Sequence, residues 1–325
     1  MTARAQFGGL TKTGMSAATF LSIEVGPRAK AMGGAFTGRA DDASALYWNP
    51  SGLAHLQSNT LIASHAEWLA EINFDFIGIA LPVEGFGTIG ASITSLSMPE
   101  MEVRTVLQPE GTGERFNASD LAIGLSYARA LTSRFAIGAN FKYIRQKIYN
   151  STAQTIAFDF GGLFRSEFRG LSFGMSISNF GGDMKLDGTD TQVEVDISPN
   201  EFGNNDRVFA NLETEDFQLP LTLRMGIAMD LIQTTPNRLT VAVDGVVPND
   251  NAQYLNVGAE YAFRDLLAFR AGYRTLFLED SEEGLTLGAG LHYELFANTT
   301  LGVDYSFTDF GILDNVHEVA LVIAF

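Results

Sequence analysis

The sequence is poor in several kinds of feature. It has no cysteine, which excludes disulfide bonds and thiolate metal sites. Lysine is rare and the net charge is −17, which excludes nucleic acid as a partner because its phosphates need Lys and Arg. No run of about 18 apolar residues occurs, so no transmembrane helix is predicted. The N-terminus lacks a charged region followed by an apolar stretch, the pattern of a signal peptide.

Motifs of known chemistry are missing too. No G-x-S-x-G, P-loop or G-x-G-x-x-G motif occurs, and GGAFTG at Gly33–Gly38 has the wrong spacing. The histidines form no metal spacing such as H-E-x-x-H: His55, His65, His292 and His317. We therefore predict a non-enzymatic protein with no catalytic residue, no metal and no cofactor.

From Asn59 onward the sequence consists of segments in which apolar and polar residues alternate. A period of two is typical of β-strands. Most segments are close to the ~9–11 residues that a tilted strand needs to cross a bilayer. The pattern predicts about 14 strands, over residues 59–68, 71–82, 86–97, 117–130, 133–148, 154–166, 169–180, 220–231, 237–246, 253–264, 266–275, 283–295, 298–308 and 316–325.

Alternation fits a soluble β-sandwich as well as a membrane barrel, but loop lengths favour the barrel. The long connections, Met98–Phe116 and Gly181–Leu219, both follow odd-numbered strands, and connections after even-numbered strands are short. Membrane barrels sort their loops in this way. Aromatic residues also gather near strand ends on the apolar face, as in the girdles of such barrels: Tyr127, Tyr143, Tyr261, Phe263, Tyr273, Tyr293, Tyr305 and Phe307.

The polar face of the strands is predicted to line a crowded lumen. Glycines recur on it, where a packed interior segment would need room: Gly124, Gly138, Gly174, Gly226, Gly258, Gly272, Gly288 and Gly302. Charged residues on the same face are predicted to pair with one another around that segment: Arg224, Arg270, Arg274, Asp230, Asp244, Glu260, Glu294 and Asp304.

The strand over Glu71–Pro82 departs from the pattern. Phe74 and Phe76 share one face, but Ile77 begins an apolar series on the other. This change of phase predicts a bulge near Phe76, either without a function or as a lateral opening in the wall.

The segment Arg28–Leu53 has neither the period of a strand nor that of a long helix, and it predicts a compact plug. Its glycines permit sharp turns. Asp41 or Asp42 is predicted to cap a short helix over Ala43–Tyr47, and Asn49-Pro50 ends that helix. The residues that define the motif are Arg28, Gly33, Gly34, Asp41, Asp42, Tyr47, Trp48, Asn49 and Pro50.

The run GPRAKAMGGAFTGRADDASALYWNPSGLA resembles the N-terminal signature of the PorV/PorQ family of outer-membrane proteins. That family is related to the FadL-type long-chain fatty-acid transporters. The resemblance implies an all-β fold, a FadL-like transmembrane antiparallel β-barrel with an N-terminal plug. Residues 1–58 would form the extension and plug, and residues 59–325 the barrel.

The resemblance also implies a role in type IX protein secretion. Family members escort or hold secreted proteins at the outer membrane by binding their C-terminal domains, or they partner the large translocon barrel. Membrane lipids and lipopolysaccharide would surround the wall. The implied location is the outer membrane of a Gram-negative, Bacteroidota-like bacterium, so we interpret the chain as one whose export signal is absent. The alternatives are a FadL-like transporter of hydrophobic small molecules and a soluble all-β interaction protein.

Two further stretches have predicted roles. The loop Gly181–Leu219 is acidic, yet it contains more apolar residues than a solvated flap needs. It is therefore predicted to bind a partner through Val195, Ile197, Phe202, Phe209 and Phe217. The last strand resembles the assembly signal of bacterial outer-membrane barrels, with one apolar face formed by Val319, Leu321, Ile323 and Phe325.

Overall fold

The fold is seen in a computed structural model that describes residues 14–198, 200, 203, 207–279, 281–296 and 299–325. Fourteen strands form one closed antiparallel barrel. They are β1 Thr60–Glu67, β2 Asn73–Val83, β3 Gly87–Ser97, β4 Ala118–Ala130, β5 Phe135–Ile148, β6 Ser151–Arg165, β7 Ser172–Gly181, β8 Thr222–Gln233, β9 Asn237–Pro248, β10 Tyr254–Phe263, β11 Leu267–Leu276, β12 Leu285–Phe296, β13 Thr299–Asp309 and β14 Asn315–Ala324.

Each strand pairs with its neighbours along the chain, and the barrel closes where β1 meets β14. The closing register runs from Thr60 opposite Ala324 to Glu67 opposite His317. Every strand edge is thereby paired, which a barrel in lipid requires because no water is present to satisfy backbone groups. The predicted all-β barrel of fourteen strands is confirmed.

The connections differ in length between the two ends of the barrel. Short turns join even-numbered strands to the next strand, as at residues 84–86 and 264–266. Residues 98–117 and 182–221 both follow odd-numbered strands. Because short turns face the periplasm in such barrels, the end with the long loops is the extracellular end.

The long loops contain short strands of their own. In the first loop, Met101–Glu102 pairs with Arg115–Phe116. In the second loop, Gln192–Val195 pairs with Val208–Asn211, and Met184–Lys185 with Asp216–Phe217. Asp187–Gly188 also pairs with the first residues of β6.

Alternation along each strand sorts side chains between the lumen and the outer face. In β8, for example, Arg224 is buried whereas Met225 and Ile227 are exposed. Seven of the eight charged residues predicted to face inward are buried: Arg224, Arg270, Arg274, Asp230, Asp244, Glu260 and Asp304. Glu294 lies next to a register shift near the end of β12, where it is exposed, and it forms none of the ion pairs found among the described residues.

The predicted bulge near Phe76 is also wrong. β2 pairs with β1 and with β3 in unbroken register. Phe74 and Phe76 are each 1% exposed and face the lumen, while Ile77 is 53% exposed and faces outward. The alternation of the strand is therefore regular. The sequence suggested a change of phase because Phe74 and Phe76 occupy inward positions where polar residues were expected. The structure shows no lateral opening at this strand.

Residues 14–58 are here called the lumen segment, and most side chains from Ala18 to Leu53 are buried inside the barrel. Their helices are a 3-10 turn at Thr19–Ser22, α1 at Pro27–Ala31, α2 at Ala45–Trp48 and a second 3-10 turn at Pro50–His55. None of the helices in the described residues is long and apolar enough to cross a membrane. The buried core joins both parts of the chain: Met32, Phe36, Leu46 and Trp48 pack with Ile62, Phe74 and Phe76. The division of the chain at residue 58 stays a prediction.

The lumen segment crosses the barrel from end to end. At the extracellular end, Ala17 N donates to the carbonyl of Gln218, 2.9 Å away, in the loop before β8. At the other end, Asn49 Nδ2 donates to the carbonyl of Gly162, which lies toward the periplasmic end of β6. The chain thus passes through the whole lumen before β1 begins.

Candidate functional site: lumen segment and external face

A turn stabilised by the side chain of Asp42 precedes α2. Asp42 Oδ1 accepts hydrogen bonds from Ser44 N at 2.8 Å and Ser44 Oγ at 2.5 Å. This turn occupies the first residues of the predicted helix, so α2 begins at Ala45 and not at Ala43. The prediction that Asp41 or Asp42 caps the helix directly is wrong, because Ser44 is the N-cap residue and no side chain caps the helix.

Asn49 separates the two short helices at the end of the motif. Its backbone is extended, with φ −162°, and α2 ends before it at Trp48, as the Asn-Pro pair predicts. Its side-chain oxygen accepts from Ser51 N at 3.2 Å and Ser51 Oγ at 2.6 Å. Asn49 therefore caps the 3-10 turn that follows, which starts with Pro50 at its first position.

Arg28 connects the acidic part of the motif to the barrel wall. Its Nη1 lies 2.8 Å from Asp41 and 2.9 Å from Asp42, and its Nε lies 2.8 Å from Glu260 on β10. Burial disfavours the charged form of Asp41, but Arg28 and Arg39 outweigh it and hold the pKa of Asp41 below its usual value. Asp41 is thus a fixed negative charge between two arginines.

The ion pairs continue through the wall. Arg270 on β11 joins Glu260 at 2.7 Å and Asp304 at 2.5 Å, and His292 Nε2 lies 3.0 Å from Asp304. Further pairs join the lumen segment to other strands: Arg39 with Asp230 at 3.3 Å, Arg274 with Glu24 at 3.2 Å and Lys30 with Glu318 at 2.6 Å. The predicted pairing of inward charges with one another is thus seen for Arg270 with Glu260 and Asp304. Asp230 and Arg274 pair with the lumen segment instead, and Asp244 accepts hydrogen bonds from Phe36 N and Thr37 N.

Tyr47 and Trp48 form the aromatic part of the motif. The Trp48 indole donates to the carbonyl of Val25 at 2.8 Å, and the Tyr47 hydroxyl donates to the carbonyl of Leu21 at 3.2 Å. The Arg224 guanidinium lies 5.5 Å from the centroid of each ring, within the range of cation–π attraction. Burial raises the pKa of Tyr47 to about 12, so its hydroxyl remains a donor at neutral pH.

Inward glycines allow the lumen segment to touch the wall backbone. A Cβ at Gly138 would collide with Pro50, one at Gly174 with Thr37, and one at Gly258 with Met32. In the segment itself, Gly33 has φ +65°, and a Cβ there would meet the backbone of Tyr273. Glycine is required there by both its backbone angle and the close approach.

The external loops expose apolar side chains to water. Of the predicted partner-binding residues, Ile197 is 71% exposed and Phe209 is 70% exposed, with Val195 and Phe217 also exposed. Phe202 lies outside the described residues. Other loops contribute exposed apolar residues that the sequence analysis did not single out: Val106, Leu107, Phe277 and Ile312. The sequence signal that could have identified them is the presence of apolar residues in loops, where polar residues are expected.

The last strand presents its apolar residues outward, where the assembly signal was predicted. Val319, Leu321 and Phe325 are exposed on the outer face, and Ile323 shares it at intermediate exposure. Phe325 N donates to the carbonyl of Asn59 at 2.9 Å, which ties the final residue to the start of β1. The role of these residues in assembly stays a prediction.

Comparison with known families decides the identity of this barrel. A family model described as type IX secretion system protein PorV matches residues 10–248, which include the lumen segment from residue 14 and strands β1 to β9. The chain belongs to the PorV family. With its barrel fold, membership identifies an outer-membrane protein associated with type IX secretion. A search among curated proteins found no match.

Solved structures similar to this PorV-family barrel are hydrocarbon channels. The monoaromatic hydrocarbon channel CymD shares 13% identity at a TM-score of 0.56, covering 93% of this chain and 97% of its own. The Ralstonia pickettii toluene transporter TbuX shares 13% identity at a TM-score of 0.55, covering 92% and 97%. The Pseudomonas putida toluene transporter TodX shares 12% identity at 0.55, covering 91% and 96%. At such identities the likeness shows the FadL-like fold.

Proposed function

We propose that this protein is a non-enzymatic partner in type IX secretion that binds secreted proteins, or a larger translocon barrel, through its external loops. The observation that carries the proposal is the apolar exposure of the extracellular face. Val106, Ile197 and Phe209 are each at least 70% exposed on loops that water surrounds. Exposed apolar groups mark interaction sites when they lie together, and four loops at this one end of the barrel contribute such groups. Family membership supports the type IX context.

The lumen segment supports a sealed barrel in this proposal. It is joined to the wall by buried ion pairs and by glycine contacts, and these contacts reach β5, β7, β10 and β14. A segment that must move to open a path would not be expected to hold so many fixed contacts. In this view the segment braces the wall, and binding takes place outside.

A second function is a transporter of hydrophobic small molecules. The observation in its favour is the fold, which is similar to that of proteins named as toluene transporters and a monoaromatic hydrocarbon channel. Such a protein would have to displace the lumen segment when a ligand passes. The two functions therefore make opposite demands on that segment.

Two sets of variants distinguish the two functions. One set fixes the lumen segment to the wall with a disulfide bond, and the other alters the external loop. For the lock, Leu46→Cys is paired with Gly90→Cys, because a Cβ at Gly90 would lie 2.5 Å from Leu46 Cδ2. For the surface, Ile197→Asp is combined with Phe209→Asp. Leu131→Ser, an exposed apolar residue in a periplasmic turn, is the matched control.

Secretion is measured as display of a type IX cargo at the cell surface, and transport as uptake of toluene. A secretion partner should tolerate the oxidised lock and lose cargo display with the loop variant, while Leu131→Ser remains active. If the lock abolishes toluene uptake until a reductant is added and the loop variant displays cargo normally, the secretion proposal is wrong and the transporter replaces it.

A further inference from the structure

A groove indents the outer face of the wall across β6, β7, β8 and β9. Its volume is about 680 Å³, within the ~300–1,000 Å³ typical of ligand sites. It lies outside the lumen, on the side that faces lipid. Its lining is apolar, with phenylalanine, methionine, isoleucine and valine side chains around bare glycine backbone.

One row of residues across the four strands forms the floor of this groove. Gly162 lies opposite Met175, Met175 opposite Met225, and Met225 opposite Gly245. Both glycines face outward, because their neighbours Gly161 and Asp244 face the lumen. The floor thus has no side chain at either end and flexible methionines in the middle, which adapt to varied apolar shapes.

Space above the two glycines is open. A Cβ at Gly162 would meet only the Phe135 ring, at 3.9 Å, and one at Gly245 would meet Leu255 at 3.6 Å and the carbonyl of Met225 at 3.9 Å. The neighbouring inward Gly161 differs, since a Cβ there would collide with Asn49. Packing against the lumen segment explains the inward glycine but leaves the outward ones unexplained.

Two rows of larger side chains form the banks. On the periplasmic side, Phe164 lies opposite Phe173, and Phe173 opposite Ile227. On the other side, Phe160 lies opposite Ile177. Phe160 and Phe164 are four positions apart on β6, about 13 Å between Cα atoms, so a hydrocarbon chain fits between the two rows above the floor.

A positive charge stands at the periplasmic end. The turn between β6 and β7 directly follows the Phe164–Phe173 row, and it contains Arg169 beside the 63% exposed Phe168. The Arg169 guanidinium lies 5.8 Å from the Phe168 ring centroid. Within the described part of the chain, no ion pair is formed by Arg169. An arginine at the bilayer surface attracts anionic lipid headgroups.

We propose that this groove binds one acyl chain of an anionic phospholipid from the periplasmic leaflet, with the lipid phosphate at Arg169. The chain lies along the Gly162–Met175–Met225–Gly245 row, between the phenylalanine banks. The proposal rests on the outer-membrane location and not on the secretion role.

Native mass spectrometry of the purified full chain tests the proposal, with dioleoyl phosphatidylglycerol and dioleoyl phosphatidylethanolamine as probes. We expect one tightly bound phosphatidylglycerol and weaker binding of phosphatidylethanolamine. Arg169→Gln should weaken phosphatidylglycerol binding about fivefold, the effect of one surface charge. It should weaken phosphatidylethanolamine binding less, because the ammonium group of that lipid offsets the charge of its phosphate. The matched control is Arg264→Gln, in another periplasmic turn, where the guanidinium lies 5.3 Å from the Phe263 ring centroid.

A second variant tests the hydrocarbon site itself. Gly162→Leu with Gly245→Leu fills the floor and should reduce binding of both lipids at least tenfold. Its control, Ala271→Leu, adds the same side chain on an exposed outward position away from the groove. Heat-modifiable migration on gels shows that each variant forms a barrel.

Three results would overturn the proposal. Equal affinity for the two lipids would remove the headgroup assignment. Unchanged lipid binding by the filled variant would show that the lipid lies elsewhere. If filling the groove leaves lipid binding intact but releases a protein that co-purifies with the wild type from native membranes, the groove belongs to a protein interface instead.

Discussion

The buried contact between Lys30 and Glu318 provides a demanding test of the structure. The side chains are 2% and 1% exposed, and Lys30 Nζ lies 2.6 Å from Glu318 Oε2. The Nζ also lies 5.3 Å from the Trp68 ring centroid and 5.6 Å from that of Phe74. Glu318 Oε1 accepts a hydrogen bond from Gly26 N at 3.0 Å. Two opposite charges therefore share a dry site between α1 and the last strand.

Removing one partner leaves the other charge buried and unpaired. We expect Lys30→Met, and separately Glu318→Gln, to lower the free energy of unfolding by about 3–5 kcal/mol each. The double variant should recover most of that loss. Methionine packs on the Trp68 and Phe74 rings, and a glutamine oxygen still accepts from Gly26 N. The double variant thus replaces a buried ion pair by two neutral side chains of similar size, which costs little stability.

Denaturant unfolding in lipid vesicles, followed by tryptophan fluorescence, measures these changes. The control is Lys185→Met, which removes a loop pair with Glu213 at 3.5 Å whose side chains are 45% and 89% exposed. That change should alter the free energy of unfolding by no more than about 1 kcal/mol. The reasoning is refuted if the double variant loses as much as the two single variants together.

Three further predictions follow from the wall and the lumen segment. Deleting Phe325 should reduce the fraction of heat-modifiable barrel in membranes, because β14 must close the sheet; normal folding would contradict an assembly role. Ile123→Arg, on the outer face at mid-strand, should destabilise the barrel by about 2–4 kcal/mol in the same vesicle assay, whereas Ile123→Leu should be neutral. Burial and nearby Arg165 lower the pKa of His55 to about 4, so stability should decline as pH falls from about 6.5 toward 4. His55→Asn should flatten that decline in a series of melting temperatures, and an unchanged slope would count against it.

Strand positions were predictable because one physical rule governs the whole wall. A strand with lipid on one side and a packed lumen on the other must alternate, and the alternation appears directly in the sequence. The rule failed at β2, where Phe74 and Phe76 face the lumen. Alternation reports a difference between faces, and there both faces are apolar. The inner face of β2 is identified only by its contacts with the lumen segment, such as that of Lys30 with the Phe74 ring.

The contacts of the lumen segment could not be predicted in detail. Glycines on the polar face indicated that something packs against them, but not which residue meets which. Arg28 and Glu260 are separated by 232 positions in the chain, and only the closed barrel brings them together. The external apolar residues are a different case: Val106 and Leu107 are visible in the sequence, yet a loop has no period that assigns them to a face.

The path of the lumen segment has a consequence for how the molecule is built. The segment occupies the lumen from mouth to mouth and carries bulky groups such as Trp48, so it cannot be threaded through a cylinder that is already sealed. It contacts β14 directly, through Gly26 and Lys30 on Glu318. The strand that closes the seam is therefore fastened to the segment that precedes β1. The lumen segment thus holds the closing strand from inside the barrel, beside the seam where β14 pairs with β1.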